Sequence, residues 1–361
     1  MKHGSKDILI ATNQLVNIGG SEIITLEFAE FFIQRGHSVI IFTNFIANPM
    51  KKLIKELAGL SIKTEASKIY PLQYDFVYVQ HQVAALFNYE HSDHDKEKTT
   101  FVFGRLSRRL FLESGGWLHD NILGNRTIAN SLLTAKHLRQ RNLRHPVSVF
   151  HNAAPSSFFS IPRLLPEAPK NILVISNHAD SSLLEAVDFL RKVATVTHIG
   201  RQGGIPRRVV GDDLHWADLV VSIGKSVQYA LAAYTPVFVY DHLGGPGYLD
   251  KNNFAKAALF SFTGRCCETK MTGKQIFDRI MSGYASARCF TNSLPNEIRQ
   301  LYMLEPYLEE LLRIPPTLNQ ERRQQLACQV DILRNERNIA LQIRTETLKH
   351  YQSGGETTKL S

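Results

Sequence analysis

The stretch from Trp216 to Phe254, WADLVVSIGKSVQYALAAYTPVFVYDHLGGPGYLDKNNF, constrains the fold more than any other part of the chain. Leu219-Val220-Val221 is a short apolar run rich in β-branched residues, and Ile223-Gly224-Lys225-Ser226 behind it is a glycine-bearing turn. Residues 227–234 keep helical spacing, Pro236 interrupts, and Val237-Phe238-Val239-Tyr240 is a second apolar run. Strand, turn, helix and strand in that order make half of a parallel βαβ unit. Ligands of such units sit outside the carboxyl ends of the strands. The turn at 222–226 and the polar loop from Asp241 to Tyr248, which carries Gly244 and Gly245, are therefore expected to border one crevice.

The same alternation opens the chain. Asp7 to Thr12 reads as a buried strand, Ser21 as the N-cap of a helix from Glu22 to Gln34, and Ser38 to Thr43 as the next strand. Gly19 and Gly20 lie where strand becomes helix. There a glycine pair either makes a plain turn or lets backbone approach a ligand at a helix N-terminus. Asp75 to Val79 is a strand ending at Gln80-His81-Gln82. His81 is placed for polarising or proton-transfer work, or is satisfied by a neighbouring carbonyl. The loop His91 to Lys98 (HSDHDKEK) reads as solvated, with a metal as its alternative. Phe101-Val102-Phe103 leads into Gly104-Arg105-Leu106-Ser107-Arg108-Arg109, where Arg105 is a candidate contact to phosphate.

Pro162 to Lys170 is the best linker, because beyond it Asn171 to Ser176 restarts the strand–helix alternation of a second doubly wound domain. Ser176-Asn177 ends its first strand, and Gly200-Arg201 ends the next. With Gly224-Lys225-Ser226 these turns would offer backbone N–H groups, Arg201 and Lys225 to a diphosphate. From Ser293 onward the alternation stops. Asn296 to Arg313 is amphipathic, Pro315-Pro316 breaks it, and Glu321 to Tyr351 reads as one long charged helix before a Gly-Gly tail.

Composition narrows the function classes. The net charge of +9 suits an anionic partner, but no zinc-finger spacing, aromatic RNA-binding signature or lysine tail points to nucleic acid. Sugar nucleotides and phosphate-bearing lipid head groups remain. No apolar run is long enough to span a bilayer, and Met1 to Ser5 leads straight into a strand without a secretion-type apolar stretch, so a cytoplasmic protein is expected. The four cysteines fit no zinc or redox spacing.

Two separate pieces carry a family resemblance. Ala217-Asp218-Leu219-Val220-Val221-Ser222, Gly224-Lys225-Ser226, Thr235-Pro236-Val237 and Asn252-Asn253-Phe254-Ala255 resemble the donor-binding core of glycosyltransferases of the two-domain GT-B fold. Ile18-Gly19-Gly20-Ser21-Glu22 is similar to the opening of glycosyltransferase family 4 enzymes. The resemblance implies that Gly19 and Gly20 face the acceptor side and that the loop at Gly244 and Gly245 lies beside the donor sugar. It also brings two departures. Related enzymes have a histidine where Arg105 stands, and the family's glutamate pair falls here on Val221 and Tyr229, leaving Gln228 as the substitute for the donor ribose.

The expectation is thus an α/β chain of GT-B type, two Rossmann-like doubly wound domains facing a cleft. Residues 1–161 form the acceptor-side domain, 162–170 the linker, 171–292 the nucleotide-sugar domain, and 293–361 a helical extension for packing or membrane-surface contact. The implied activity is metal-independent transfer from a nucleotide-sugar donor to a glycan or lipid-linked acceptor in bacterial surface polysaccharide synthesis, without a resident cofactor. The alternative is a catalytically inactive GT-B subunit that binds a partner glycosyltransferase. Expected peripheral contact is with the inner face of the cytoplasmic membrane. His81 and Arg105 are the catalytic candidates; Ser176, Asn177, Gly200, Arg201, Gly224, Lys225, Ser226, Gln228, Tyr229, Gly244 and Gly245 are the donor-site candidates.

Overall fold

A computed structural model describes residues 4–107, 110–113 and 115–352. Arg108, Arg109, the extreme N-terminus and the Gly-Gly tail lie outside the described residues. The chain divides into two compact units, one of residues 1–130, 134–149 and 308–361, the other of residues 131–133 and 150–307. This division differs from the one read in the sequence. The second unit starts at Phe150, because Ala154 bonds to the Tyr302 and Leu304 backbone and Phe158 stacks on Tyr229. The presumed extension is split, its first part packing in the second unit and the rest returning to the first.

The first unit contains β1 (Asp7–Leu15), α1 (Gly20–Gln34), β2 (Ser38–Ile46), α2 (Met50–Lys55), β3 (Ser61–Lys63), β4 (Phe76–Gln80), β5 (Lys98–Arg105), α3 (Leu110–Glu113), α4 (Trp117–Leu123), β6 (Arg126–Ala129), α5 (Leu132–Arg139) and β7 (Val147–Val149). Its sheet runs in the order β3-β2-β1-β4-β5-β6-β7, and these seven strands pair in parallel. Strands covered on both faces need apolar side chains throughout, which is why ILIA (8–11) and FVYV (76–79) are unbroken runs. The chain leaves β1 toward β2 and β3, then crosses to β4 on the other side, so the topological switch point lies between β1 and β4.

The second unit contains β8 (Asn171–Ile175), α6 (Ser181–Leu190), β9 (Thr195–Ile199), α7 (Gly211–Trp216), β10 (Leu219–Ser222), α8 (Lys225–Ala232), β11 (Val237–Asp241), β12 (Gly244–Tyr248), α9 (Phe254–Leu259), α10 (Gly273–Ser293) and α11 (Asn296–Gln300). Sheet order is β12-β11-β10-β8-β9, with the switch point between β8 and β10. Successive residues of β10 serve opposite faces. Val220 packs with Val227, Leu231 and Leu214 on one side, whereas Leu219 and Val221 pack with Leu183, Val187, Ile276 and Ile280 on the other.

The entry to α1 and the segment after β11 both depart from the sequence reading. The helix α1 is entered from Gly19, not Ser21, and no side chain caps it. The glycine-rich segment after β11 is not a loop, since Gly244 to Tyr248 forms an antiparallel edge strand on β11. Glycine and proline are depleted in strands, yet here a Cβ on Gly245 would come 2.0 Å from the Val239 carbonyl oxygen, so only glycine fits.

The chain re-enters the first unit through α12 (Leu304–Leu312), β13 (Thr317–Leu318), α13 (Asn319–Ala327) and α14 (Val330–Gln352), two helices in place of the single long one read. β13 pairs antiparallel with the start of β5, and Leu326 and Ala340 complete the core formed by Val77, Val79, Phe101 and Phe103. None of the described helices is long and apolar enough to cross a membrane.

Candidate functional site

In the second unit the strand ends at the switch point are Ile175-Ser176 on β8 and Ser222 on β10. Ser222 Oγ donates to the Ile175 carbonyl at 2.8 Å and ties the two ends together. Beyond β10 the chain turns at Gly224, whose φ of 63° and ψ of −137° suit glycine alone, and enters α8. No side chain caps this N-terminus, its first turn carries no acid, and a Cβ at Gly224 would meet nothing within 4 Å. Such an end attracts anions. Ser176 and Asn177 border it from β8, where Ser176 Oγ accepts from the His178 N–H at 3.2 Å. Gly200 ends β9 with φ 133°, and a Cβ there would lie 1.9 Å from the Ser176 oxygen, so it holds the turns together rather than leaving room for a ligand. Arg201 follows it, exposed, at the edge strand.

The side chains expected to grip the donor are differently employed. Lys225 Nζ donates to the carbonyls of Ala153 at 2.6 Å and Asn152 at 3.3 Å, and lies 5.3 Å from the Tyr229 ring. Gln228 is 2 % exposed and donates to the His151 carbonyl at 3.1 Å. Tyr229 stacks on Phe158 with centroids 3.9 Å apart, inside the core. These three residues fasten α8 to the 150–158 segment, Lys225 from the first residue of the helix and Gln228 and Tyr229 from the face that packs there. Ser226 stays at that end, half-buried. Gly244 and Gly245 are buried against the Thr269 and Val239 carbonyls, respectively, and do not form an open donor loop. The sequence reading set the segment from Asp241 to Tyr248 at the crevice but did not name Asp241, His242 or His178 as candidates, although they stand at the ends of β11 and β8; a polar dipeptide after an apolar strand was the available signal.

In the first unit His81 follows β4 at its switch point, 4 % exposed and with φ 62°. Its Nδ1 accepts from the Asn13 N–H at 3.3 Å, with Thr12 Oγ1 also at 3.3 Å. Burial, then the Arg105 charge, lower its pKa to about 3. With Nδ1 already accepting, the ring is neutral and carries its proton on Nε2, a donor for an oxygen atom but no ready base. Around it Asn44 donates to Asn13 Oδ1 at 2.9 Å and Gln80 donates to Thr25 Oγ1 at 2.7 Å.

Beside this crevice α1 begins, with Gly19 half-buried and Gly20 exposed. Glu22 fills the space above Gly19, where a Cβ would stand 2.6 Å from Glu22 Oε2. That carboxylate accepts from Ser21 Oγ at 2.8 Å and from its own backbone N–H, and burial raises its pKa. The N-terminus of α1 is thus occupied by the chain's own acid, and an incoming anion would be repelled.

Arg105 is not available to phosphate. It is 1 % exposed, Nε donates to Asp120 at 2.9 Å, Nη1 to Glu113 at 3.4 Å and Nη2 to the Gly115 carbonyl at 3.0 Å, while its guanidinium lies 4.4 Å from the Trp117 ring centroid. The network braces the end of β5 against α3 and α4. A hollow of about 430 Å³ between α4 and α13 is lined by Leu118, Ile122, Arg144, Glu321 and Cys328, and by none of the candidates above. Among the described residues no three His, Cys, Asp or Glu side chains gather as metal ligands do.

No protein-family model matches the sequence, and no curated protein aligns with it. Solved structures do resemble the fold. A proposed UDP-N-acetylglucosamine 2-epimerase from Listeria monocytogenes superposes with a TM-score of 0.50 at 8 % identity, over 86 % of this chain and 95 % of that one. A glycosyltransferase from Rickettsia africae gives 0.45 at 14 % identity over 91 % and 99 %, and WaaG, a glycosyltransferase involved in lipopolysaccharide biosynthesis, 0.42 at 12 % over 85 % and 99 %. Such identities speak of fold alone. The chain has the GT-B architecture of two Rossmann-like α/β units, one built on a long parallel sheet and one on a smaller sheet.

Proposed function

We propose that this chain is a glycosyltransferase that holds a nucleotide-sugar at the β8/β10 switch point and passes the sugar to a glycan or lipid-linked acceptor, in bacterial surface polysaccharide synthesis. The observation that carries the reading is the contrast between two helix starts at two switch points. The α8 end is uncapped, acid-free and open above Gly224, whereas the α1 end is filled by Glu22. A diphosphate suits the first, and an uncharged acceptor hydroxyl suits the second. In the transfer an acceptor oxygen bonds to the anomeric carbon, the bond from that carbon to the diphosphate oxygen breaks, and the acceptor proton passes to the departing diphosphate. Backbone N–H groups at the α8 start would carry part of the charge on the leaving diphosphate, the electrostatic contribution that weighs most in such reactions. No metal is needed in this reading. His81 would donate its Nε2–H to an acceptor oxygen held at the first unit's own switch point. The Listeria neighbour is described as acting on UDP-N-acetylglucosamine, a nucleotide-sugar, which agrees with this ligand class.

Thermal-shift and calorimetric titration with UDP, GDP, ADP and CMP test the reading, since a ligand at a hundredfold its Kd adds about 2.7 kcal/mol of stability. One nucleotide should raise the melting temperature, and no response to any of them rejects the proposal. One observation favours a second reading, an inactive GT-B subunit that binds a partner enzyme: the family's glutamate positions are Val221 and Tyr229, both in the core, and Gln228 is bonded to the His151 carbonyl. Nucleotide binding without sugar release from any nucleotide-sugar would favour it.

A further inference from the structure

Charge on a diphosphate at this crevice needs cationic partners, and Lys225 is spent on two carbonyls while Arg105 belongs to a buried network. The strands on either side of β10 supply another set. His178, in the turn after β8, and His242, in the turn after β11, bring their rings to 5.6 Å centroid separation at 61°, although β10 lies between their strands. The side chain of His242 is 42 % exposed, and its Nδ1 lies 3.2 Å from Asp241 Oδ2. Asp241 itself is 2 % exposed; Oδ1 accepts from the Leu243 N–H at 2.8 Å, and Oδ2 makes no hydrogen bond. A carboxylate oxygen buried without a hydrogen bond is costly unless a cation faces it, and the imidazole of His242 is the group in that position.

Resting on the nucleotide-sugar reading above, we propose that His178 and His242 form a pair of imidazole jaws that grip the diphosphate, with Asp241 as the positioning carboxylate behind His242. The charged groups around the jaws come from each neighbouring element. Asp180 caps α6, and Lys270 lies 3.5 Å from its Oδ2 while donating to the His242 carbonyl. Burial raises the Asp241 carboxyl, and the Leu243 N–H, His242, Arg265 and Lys270 offset that rise only in part. Lys270 and Arg265 thus offset Asp180 and Asp241, and the two imidazoles are the further groups that can carry positive charge there. A protonated imidazole holds an anion more strongly than a neutral one.

The test is calorimetric titration of the full chain with UDP and, separately, with inorganic pyrophosphate at pH ~6.5 and ~8.5, for the parent, His178→Gln and His242→Gln. The parent should bind several-fold tighter at the lower pH. Each variant should lose roughly tenfold or more there, the loss of a hydrogen bond to a charged group, and should show a flatter pH dependence; His178→Gln should keep the parent's melting temperature, whereas His242→Gln should lower it, because Asp241 Oδ2 then faces no imidazole. Variants that bind as the parent does at both pH values overturn the proposal. Pyrophosphate binding with this pH profile but no UDP binding keeps the jaws and rejects the nucleotide reading, and binding of neither rejects both. If a variant does not fold, diethyl pyrocarbonate labelling of the parent decides: His178 and His242 should be protected by saturating UDP or pyrophosphate, and labelling that neither ligand changes overturns the assignment.

Discussion

His81 shows how one residue links site and stability. In the unfolded chain a histidine titrates near its ordinary 6.5, whereas in the fold burial holds His81 at about 3 and His145 at about 4. The folded pKa values are depressed, so below pH 6.5 the unfolded state binds more protons and stability falls as pH drops. The full neutral-form stability is present above 6.5, and each histidine removes up to about 1.4 kcal/mol per pH unit on the way down. Urea unfolding from pH 7 to 4 should show this slope, and His81→Asn, which tolerates a positive φ, should reduce it; an unaltered slope contradicts the assignment. Gln228 and Lys225 give the opposite kind of prediction. Because Gln228 donates to the His151 carbonyl, Gln228→Glu would set a carboxylate against that oxygen and cost about 1–3 kcal/mol. Lys225→Met should likewise lower stability by about 1.5–3 kcal/mol through its lost carbonyl contacts while leaving nucleotide affinity nearly unchanged. Calorimetry and urea melts of the same two variants check both halves, and a large affinity loss without destabilisation would return Lys225 to the donor.

At the level of elements, the turns after β9 and β10 both rely on glycine but for different physical reasons. Gly200 is a contact problem, with backbone 1.9 Å from where a Cβ would stand, and backbone cannot move aside cheaply. Gly224 is a conformational problem with open space around it. Gly224→Ala should therefore fold, lose about 1–3 kcal/mol to strain, and bind nucleotide weakly because the α8 start is re-aimed. Gly200→Ala should lose the folded second unit. Circular dichroism melts and nucleotide titration of the two variants separate these outcomes, and equal behaviour would mean that the turns do one job. The strand β12 fits the same logic: its glycines let an edge strand lie close against β11, where Tyr248 meets Phe238 edge to face at 5.1 Å.

For the whole molecule, the first unit is discontinuous in sequence and depends on the returning segment. Arg322 of α13 is 1 % exposed and donates to the carbonyls of Thr99, Thr317 and Leu123 and to Asn319 and Asn125 side chains, with Phe101 under its guanidinium. Burial lowers its pKa to about 10, which leaves it charged at neutral pH. Arg322→Met orphans several buried carbonyls at once and should cost at least about 3 kcal/mol. Scanning calorimetry should show the loss in the transition of the first unit, with that of the second in place. A variant as stable as the parent would show that the segment docks without this staple.

Apolar runs, their glycine punctuation and the spacing between them are local properties, and they alone determined that this chain makes two doubly wound α/β units with polar turns at the ends of β4, β8, β9 and β10. The edge strand β12 escaped that reading because glycine and proline hide a strand whose partner supplies the reason for them. What each cation or amide meets was decided only by the tertiary structure. Arg105 meets Asp120 and Glu113 across the turn and helices that follow its own strand, whereas Lys225 meets the carbonyls of Asn152 and Ala153, and His178 meets His242, through contacts between segments distant in sequence. Periodicity reports which face of an element is buried. It carries no information on which distant carbonyl or carboxylate closes over a given side chain, and at these strand ends that choice separates a structural brace from a ligand contact.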